Sequence, residues 1–133
     1  MKTLDEVKEL FAKDRFATDN GAVIENFGDG YAKCSLQITD RHRNAAGALM
    51  GGVPFVLADF AFAVAENHGQ MATVSLASTI TYLGVPKGAC LIAEAKRIKG
   101  GRSTCYYRVV LTDELDTPVA EVVVNGFRKQ DPA

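Results

Sequence analysis

The chain has 133 residues, of which 47% are apolar and 23% charged, as expected for one ordinary folded domain. Its formal net charge of −1 argues against general nucleic-acid binding through a strong positive field. No apolar run approaches the roughly 20 residues needed to cross a bilayer, and the N-terminus has no apolar signal core. We therefore expect a single domain over residues 1–133 in the cytoplasm, with neither a nucleic acid nor a membrane as partner.

The first half of the chain predicts two helices separated by a hairpin and a loop. Thr3 and Glu6 fit a capping box, and apolar residues follow at helical spacing. The Gly28-Asp29-Gly30 segment suits a turn between two β-rich runs. Pro54 is tolerated only in the first turn of a helix, so it marks where the second helix begins. The predicted elements are a helix over residues 3–15, strands over 22–27 and 31–38, a loop over 39–49, and a long helix over 51–67.

The second half predicts four strands in succession. Each run is rich in β-branched residues or alternates between apolar and polar residues, and turn-forming segments separate the runs. One long helix beside an antiparallel sheet is an α+β architecture. The predicted strands cover residues 73–83, 89–98, 103–111 and 117–128.

The three cysteines are interpreted as small apolar residues. Cys34, Cys90 and Cys105 lie far apart, form no Cys-x-x-Cys pair and fall in predicted strands. With two histidines and no suitably spaced carboxylates, the sequence predicts neither a metal site nor another cofactor.

The long helix carries one carboxylate in an apolar run. Residues 53–65 are all apolar except Asp59. A helix that is apolar on every face is buried on all sides, and a buried carboxylate needs partners, a raised pKa or a chemical role. We therefore predict that Asp59 is a reactive or ligand-facing acid. The alternative is a structural carboxylate that hydrogen bonds satisfy at a subunit interface.

The same apolar helix predicts self-association. The sheet would have to wrap around a helix that is apolar on every face, and one sheet of this size does not cover all of it. We infer that a second copy of the chain covers the remainder.

Residues around the start of the long helix form a family motif. The pattern is Asn-x-x-Gly-x-x-His-Gly-Gly followed by Leu-x-Asp, with Met50 in place of the histidine. With it the chain resembles the hotdog-fold acyl-CoA thioesterases, specifically the PaaI-like branch of the phenylacetate pathway. Matches in the predicted strands extend the resemblance over nearly the whole chain. The motif residues are Asn44, Gly47, Gly51, Gly52, Leu57 and Asp59.

The resemblance implies a hotdog fold, in which an antiparallel sheet wraps around one long central helix and a short helix precedes the sheet. It also implies that the chain hydrolyses an acyl-CoA thioester to the free acid and CoA, with no cofactor beyond the CoA of the substrate. The sites of this family lie between subunits, so the resemblance implies a homodimer or a homotetramer.

The resemblance also implies catalytic roles for four residues. The Gly51 amide would bind the thioester carbonyl oxygen, and Asp59 would act as nucleophile or as general base on water. Asn44 would position the thioester or the water, although a turn-forming role is an equal alternative. Ser75 would orient the attacking water, with a plain strand residue as the alternative. Because Gly51 and Asp59 lie about 12 Å apart along one helix, we expect Gly51 of one subunit to face Asp59 of its partner.

Six further residues are predicted to bind substrate. Gly52, beside Gly51, lets a ligand approach the backbone closely. Met50 and Phe55, with Phe62, would line a pocket for apolar or aromatic acyl groups of small or medium size. The resemblance implies that three cations near a glycine turn bind the phosphates of CoA. The default interpretation of such cations is that they lie on a solvent-exposed edge and bind nothing. These cations are Arg97, Lys99 and Arg102.

Two other functions compete with a thioesterase. Met50 replaces a polar family residue, which allows a non-catalytic acyl-CoA binder or regulator. A hotdog hydratase or dehydratase is less favoured because no histidine lies near Asp59 on the helix. His42 is predicted to be a loop residue, and Tyr82 a packing residue.

Overall fold

The computed structural model describes residues 1–129, in which two short helices precede a hairpin, a long helix and four strands. A 3₁₀ turn at Asp40–His42 lies in the loop before the long helix. The elements are α1 (Leu4–Phe11), α2 (Arg15–Asp19), β1 (Ala22–Gly28), β2 (Tyr31–Gln37), α3 (Gly52–Asn67), β3 (Thr73–Tyr82), β4 (Cys90–Gly100), β5 (Thr104–Asp113) and β6 (Pro118–Arg128).

Within the described residues, six strands form one antiparallel sheet in the order β1-β2-β4-β5-β6-β3. Helix α3 packs across this sheet, chiefly against β2 and β4. Leu57 and Val64 of the helix are fully buried, as are Leu91 and Val109 of the sheet. The α+β hotdog architecture predicted from the sequence is confirmed. No helix in residues 1–129 has the length and apolar character needed to span a membrane.

The N-terminal helix is shorter than predicted. The capping box is present, because the Glu6 amide donates to the Thr3 hydroxyl and the Thr3 amide donates to the Glu6 carboxylate. Val7 and Phe11 are buried, but residues 12–14 are exposed, so nothing holds a further turn on the core. The predicted helix over 3–15 therefore ends at Phe11, and a separate helix α2 follows that the sequence did not predict.

The other boundaries lie close to the predicted ones. Strand β4 continues to Gly100, into a segment predicted as a turn, and residues 40–42 form a 3₁₀ turn inside the predicted loop. Cys34 and Cys105 are buried and Cys90 is half-buried, and all three lie in strands as predicted.

Glu66, in the last turn of α3, is the centre of a polar cluster. Its carboxylate accepts hydrogen bonds from the Tyr107 hydroxyl at 2.6 Å, the Thr73 hydroxyl at 3.3 Å and the Arg128 guanidinium. Burial alone would raise the pKa of Glu66, but the hydrogen bonds from Arg128 and Tyr107 lower it. The cluster therefore ties the end of the helix to β3, β5 and β6 through an ionised carboxylate.

We expect Glu66→Gln to lower the free energy of unfolding by about 2 kcal/mol, because Arg128 loses its counter-charge. The expected loss is below that of a fully buried pair because the Arg128 side chain is 26% exposed. The pKa of Glu66 is lower in the folded protein than in the unfolded chain. Its contribution to stability is therefore fully present when the pH is above the unfolded-state pKa, and it is lost as the pH falls through the folded-state pKa. Urea denaturation at several pH values measures both effects.

Glu121→Gln is the matched control, because Glu121 pairs with Arg108 on the exposed face of the sheet. The free energy of unfolding should change by less than about 0.5 kcal/mol in this variant. Equal losses in the two variants would mean that the Glu66 cluster adds nothing beyond a surface ion pair.

Candidate active site

The start of α3 leaves a backbone donor free. The Met50 amide donates to the His42 carbonyl at 2.9 Å, and Arg43 bridges Leu49, so the preceding loop folds back on itself. Gly51 caps the helix, and its amide donates to no acceptor among residues 1–129. Unpaired amides at a helix start carry the positive end of the helix dipole. This position can therefore bind an oxygen that gains negative charge.

Tyr82, at the end of β3, holds this helix start in place. Its hydroxyl donates to the Gly51 carbonyl at 2.6 Å. A Cβ at position 51 would lie 2.9 Å from the Tyr82 hydroxyl oxygen, so a side chain there would collide with it. Tyr82 was predicted as a packing residue, yet its side chain is 55% exposed and touches the site. The contact spans 31 residues, and no local sequence pattern indicates it.

Asn44 and His42 shape the loop before the helix. The Asn44 side-chain oxygen accepts from the amides of Ala46 and Ala48, so its turn-forming role is confirmed. His42 is buried, and its Nδ1 accepts from the Thr39 amide. That bond leaves the proton on Nε2, which donates to the Asn20 carbonyl at 2.6 Å. Both ring nitrogens are therefore occupied, and His42 fastens α2 to this loop.

Asp59 lies at mid-helix on a stripe of α3 that the sheet does not cover. The stripe consists of Gly52, Val56, Asp59 and Ala63, which follow at helical spacing and are all half-buried or exposed. The expectation that the helix is buried on all sides is therefore wrong for the single chain. The sheet reaches only one side of α3, and Asp59 keeps access to solvent.

A cavity of about 400 Å³ opens beside Asp59. Phe55 and Phe60 of α3 and Asp14 and Phe16 from the α2 region line it. Phe55, predicted to bind substrate, therefore lies in the same cavity as Asp59. Phe62 does not line this cavity, because its ring packs against Tyr107 in the core at a centroid distance of 5.1 Å.

The cavity perturbs the acidity of Asp59. Burial by the cavity walls raises the pKa of Asp59, and the negative charge of Asp14 raises it further. Burial also raises the pKa of Asp14. Arg15 lines the same cavity but is paired with Asp19 at 2.8 Å, which leaves the two acids without a dedicated counter-charge. A carboxylate with a raised pKa in a cleft is a stronger base and a candidate for chemistry.

We expect Asp14→Asn to lower the pKa of Asp59, because a nearby negative charge disfavours its ionisation. If Asp59 works in its ionised form, the acidic limb of the pH–activity profile should move to lower pH. A kcat/KM profile across the acidic range measures this shift. Asp116→Asn, an exposed acid in the β5–β6 turn that does not line this cavity, should leave the limb in place. An unmoved limb in Asp14→Asn would contradict the electrostatic link.

A second, apolar cavity of about 150 Å³ lies beside the helix start. Met50 and Gly52, both predicted to bind substrate, line it together. The apolar walls come from Leu36, Val53 and Val56, with Phe16 on the remaining side. The cavity can hold an apolar group against Met50 and Gly52, the two neighbours of Gly51, whereas Gly51 itself lines a smaller groove with Tyr82.

The remaining predicted residues lie away from these cavities. Ser75 is exposed on β3, opposite Gly126 on β6, and lines neither cavity. Arg97 pairs with Asp29 at 3.2 Å, and Lys99 is exposed at the end of β4. Within one chain, the structure therefore does not bring these residues to Gly51 or Asp59.

Arg102 lies in a polar groove of about 300 Å³ at the C-terminal end of α3. Arg128, Lys129 and Glu66 line the same groove. Arg128 is engaged by Glu66 and by the Gly101 carbonyl, which leaves Arg102 and Lys129 as the cations able to meet an anion. The neighbours of Arg102 were not predicted because β6 ends far from it in sequence.

Over most of its length the chain is similar to known proteins. A protein of Archaeoglobus fulgidus named "Putative esterase" is 33% identical over 120 residues, covering 88% of this chain and 77% of that protein. The acyl-coenzyme A thioesterase PaaI of Escherichia coli is 29% identical, covering 90% and 86%. The solved structure of the E. coli PaaI protein from the phenylacetic acid degradation operon superposes with a TM-score of 0.81 at 25% identity, covering 96% of this chain and 97% of that chain. No family model matches the chain.

Proposed function

The chain belongs to the PaaI-like branch of the hotdog-fold acyl-CoA thioesterases, and on that premise we propose that it hydrolyses small or medium acyl-CoA thioesters, aromatic ones included, to the free acid and CoA. The observation that carries this proposal is the free Gly51 amide at a helix start, beside an apolar cavity. No cofactor beyond the CoA of the substrate is proposed. A cytoplasmic location stays a prediction from the sequence.

In the proposed reaction, the thioester carbonyl oxygen accepts a hydrogen bond from the Gly51 amide. This donor strengthens its bond as the oxygen becomes negative in the transition state. Asp59 then either attacks the carbonyl carbon or takes a proton from the attacking water. The carbon–sulfur bond breaks and the sulfur leaves as the CoA thiol after gaining a proton. If Asp59 is the nucleophile, water then cleaves the acyl–Asp59 anhydride, so in either route one water is consumed and the free acid is released.

We place Gly51 and Asp59 of one site on two different copies of the chain. The two residues lie about 12 Å apart on α3, too far for one thioester carbonyl to touch both. The stripe on α3 and the edge strand β3 are both open to a second copy. Leu76 of β3 is 65% exposed and Leu83 just after it is 56% exposed, as at a surface that a partner covers. This supports a homodimer, and light scattering separates it from the tetramer that the resemblance also implies.

The groove around Arg102 is the proposed site for the phosphates of CoA. Arg102 and Lys129 supply positive charge there, since Arg128 is held by Glu66. Arg97 and Lys99, predicted alongside Arg102, do not line this groove. We therefore assign the phosphates to Arg102 and Lys129 and leave Arg97 to its ion pair with Asp29.

The proposed activity is tested by free-thiol release from acetyl-, hexanoyl-, decanoyl- and phenylacetyl-CoA. Turnover of any of these supports the thioesterase, and the ratio of kcat/KM values defines the acyl class. Tight binding of acyl-CoA without thiol release would instead support the non-catalytic binder that Met50 allows. Hydration of an enoyl-CoA without thiol release would support the hydratase.

The shared site is tested by subunit complementation. An Asp59→Asn variant is mixed with a Gly51→Pro variant, the second carried on Tyr82→Phe to relieve the contact at position 51. Each is inactive alone, but a mixed dimer regains one intact site of two. Random exchange should therefore restore about a quarter of the activity of the unsubstituted protein, because the intact site takes both Gly51 and Tyr82 from the Asp59→Asn chain. No recovery, with exchange verified by native mass spectrometry, would place both residues of a site in one chain.

A further inference from the structure

Phe16 separates the two cavities along α3. Its side chain, together with Val56, lines both the cavity at the helix start and the larger cavity beside Asp59. We infer that Phe16 is the residue that limits the size of the acyl group this enzyme accepts. This inference rests on the proposed function and adds to it a specificity-determining residue outside the motif.

The position of the Phe16 ring is set by contacts of the surrounding backbone and not by packing of the ring itself. Phe16 is 74% exposed, so its apolar surface is available to an acyl group. Three hydrogen bonds hold the backbone around Phe16. The Asn20 side chain donates to the Phe16 carbonyl. From the loop before α3, His42 donates to the Asn20 carbonyl and Arg41 donates to the Asp19 carbonyl. Helix α2 is therefore linked to the loop that leads to Gly51, which keeps the ring beside the helix start.

The sizes of the cavities set what the ring admits. An apolar cavity of about 150 Å³ holds a group of about the size of benzene. An acyl group whose carbonyl lies at the Gly51 amide would enter this cavity past Met50 and Gly52, the neighbours of Gly51 that line it, and then meet the Phe16 ring. The space beyond the ring, about 400 Å³, also contains the charged side chains of Asp14 and Arg15. With the ring in place, short, branched or aromatic acyl groups fit, and longer chains do not.

Phe16→Ala should join the two cavities and admit longer chains. We expect the kcat/KM ratio of decanoyl-CoA to acetyl-CoA to rise about tenfold, because additional methylene groups become buried. Phe16→Trp should move the ratio in the opposite direction. Leu115→Ala removes an apolar side chain of comparable exposure in the β5–β6 turn, far from both cavities, and should leave the ratio unchanged.

Binding separates this inference from the proposed activity. The same acyl-CoAs are titrated into Asp59→Asn and into Asp59→Asn/Phe16→Ala by calorimetry. If Phe16→Ala raises the relative affinity for decanoyl-CoA although the parent hydrolyses nothing, the thioesterase proposal fails and the role of Phe16 stands. If the parent is active but neither ratio moves in folded Phe16 variants, or if Leu115→Ala moves the ratio as far, the role of Phe16 is overturned.

Discussion

Asp59→Asn should abolish nearly all thioester hydrolysis, with kcat lowered roughly 10²- to 10⁴-fold. The amide has the size of the carboxylate, but it can neither accept a proton from water nor attack the carbonyl carbon. Binding of acyl-CoA should survive, because the Gly51 amide and both cavities are unchanged. Thiol release by the variant and by Asp116→Asn, a control acid exposed in the β5–β6 turn outside the cavity, measures the effect. Near-parental turnover in folded Asp59→Asn would remove Asp59 from the proposed mechanism.

Stability distinguishes a chemical role for Asp59 from a structural one. The folded-state pKa of Asp59 is raised by burial and by Asp14, so ionisation costs the folded state free energy. The stabilisation from protonated Asp59 is fully present when the pH is below its pKa in the unfolded chain. It is lost as the pH rises through its pKa in the folded protein. Asp59→Asn should therefore be more stable than the parent at neutral pH, with the difference closing in acid. A structural carboxylate held by hydrogen bonds would give a variant less stable than the parent.

Much of the fold could be predicted because its signals are local. The capping box of Thr3 and Glu6, the hairpin turn before Tyr31 and the proline in the first turn of α3 all act within a few residues. Helix α2 has five residues, which is too short to produce a periodic apolar pattern. It exists because it lies on α3 and is fastened by His42, and both contacts depend on the tertiary structure.

In the candidate site too, local features could be predicted from the sequence and contacts between distant elements could not. The motif placed Gly51 at the helix start and Asp59 about two turns further along, because both positions depend on one helix, but the exposure of Asp59 on the side that the sheet leaves uncovered was not predicted. Tyr82 and Phe16 reach the site from other elements, and no spacing within the chain indicates either contact. Nothing in the sequence indicated that Arg102 lies apart from Arg97 and Lys99. The neighbours of Arg102 in its groove come from the end of β6, which is far from it in sequence.

Removal of the Gly51 amide proton is the second change with a large expected effect. Gly51 has φ −58°, which suits proline, so Gly51→Pro deletes the donor without forcing the backbone into a new conformation. Its Cβ would still collide with the Tyr82 hydroxyl at 2.9 Å, and Tyr82→Phe removes that oxygen while leaving the ring carbon at 3.2 Å. Both test variants are therefore built on Tyr82→Phe.

The comparison is between Tyr82→Phe/Gly51→Ala and Tyr82→Phe/Gly51→Pro, which share a Cβ at position 51 and differ in the amide proton. Loss of one oxyanion donor typically lowers kcat by about 10²- to 10³-fold, and we expect this difference between the two variants, with a smaller change in KM. Circular dichroism checks that α3 is retained in both. If the two variants have equal kcat, the thioester carbonyl oxygen takes its hydrogen bond from another group, and the free Gly51 amide has no role in catalysis.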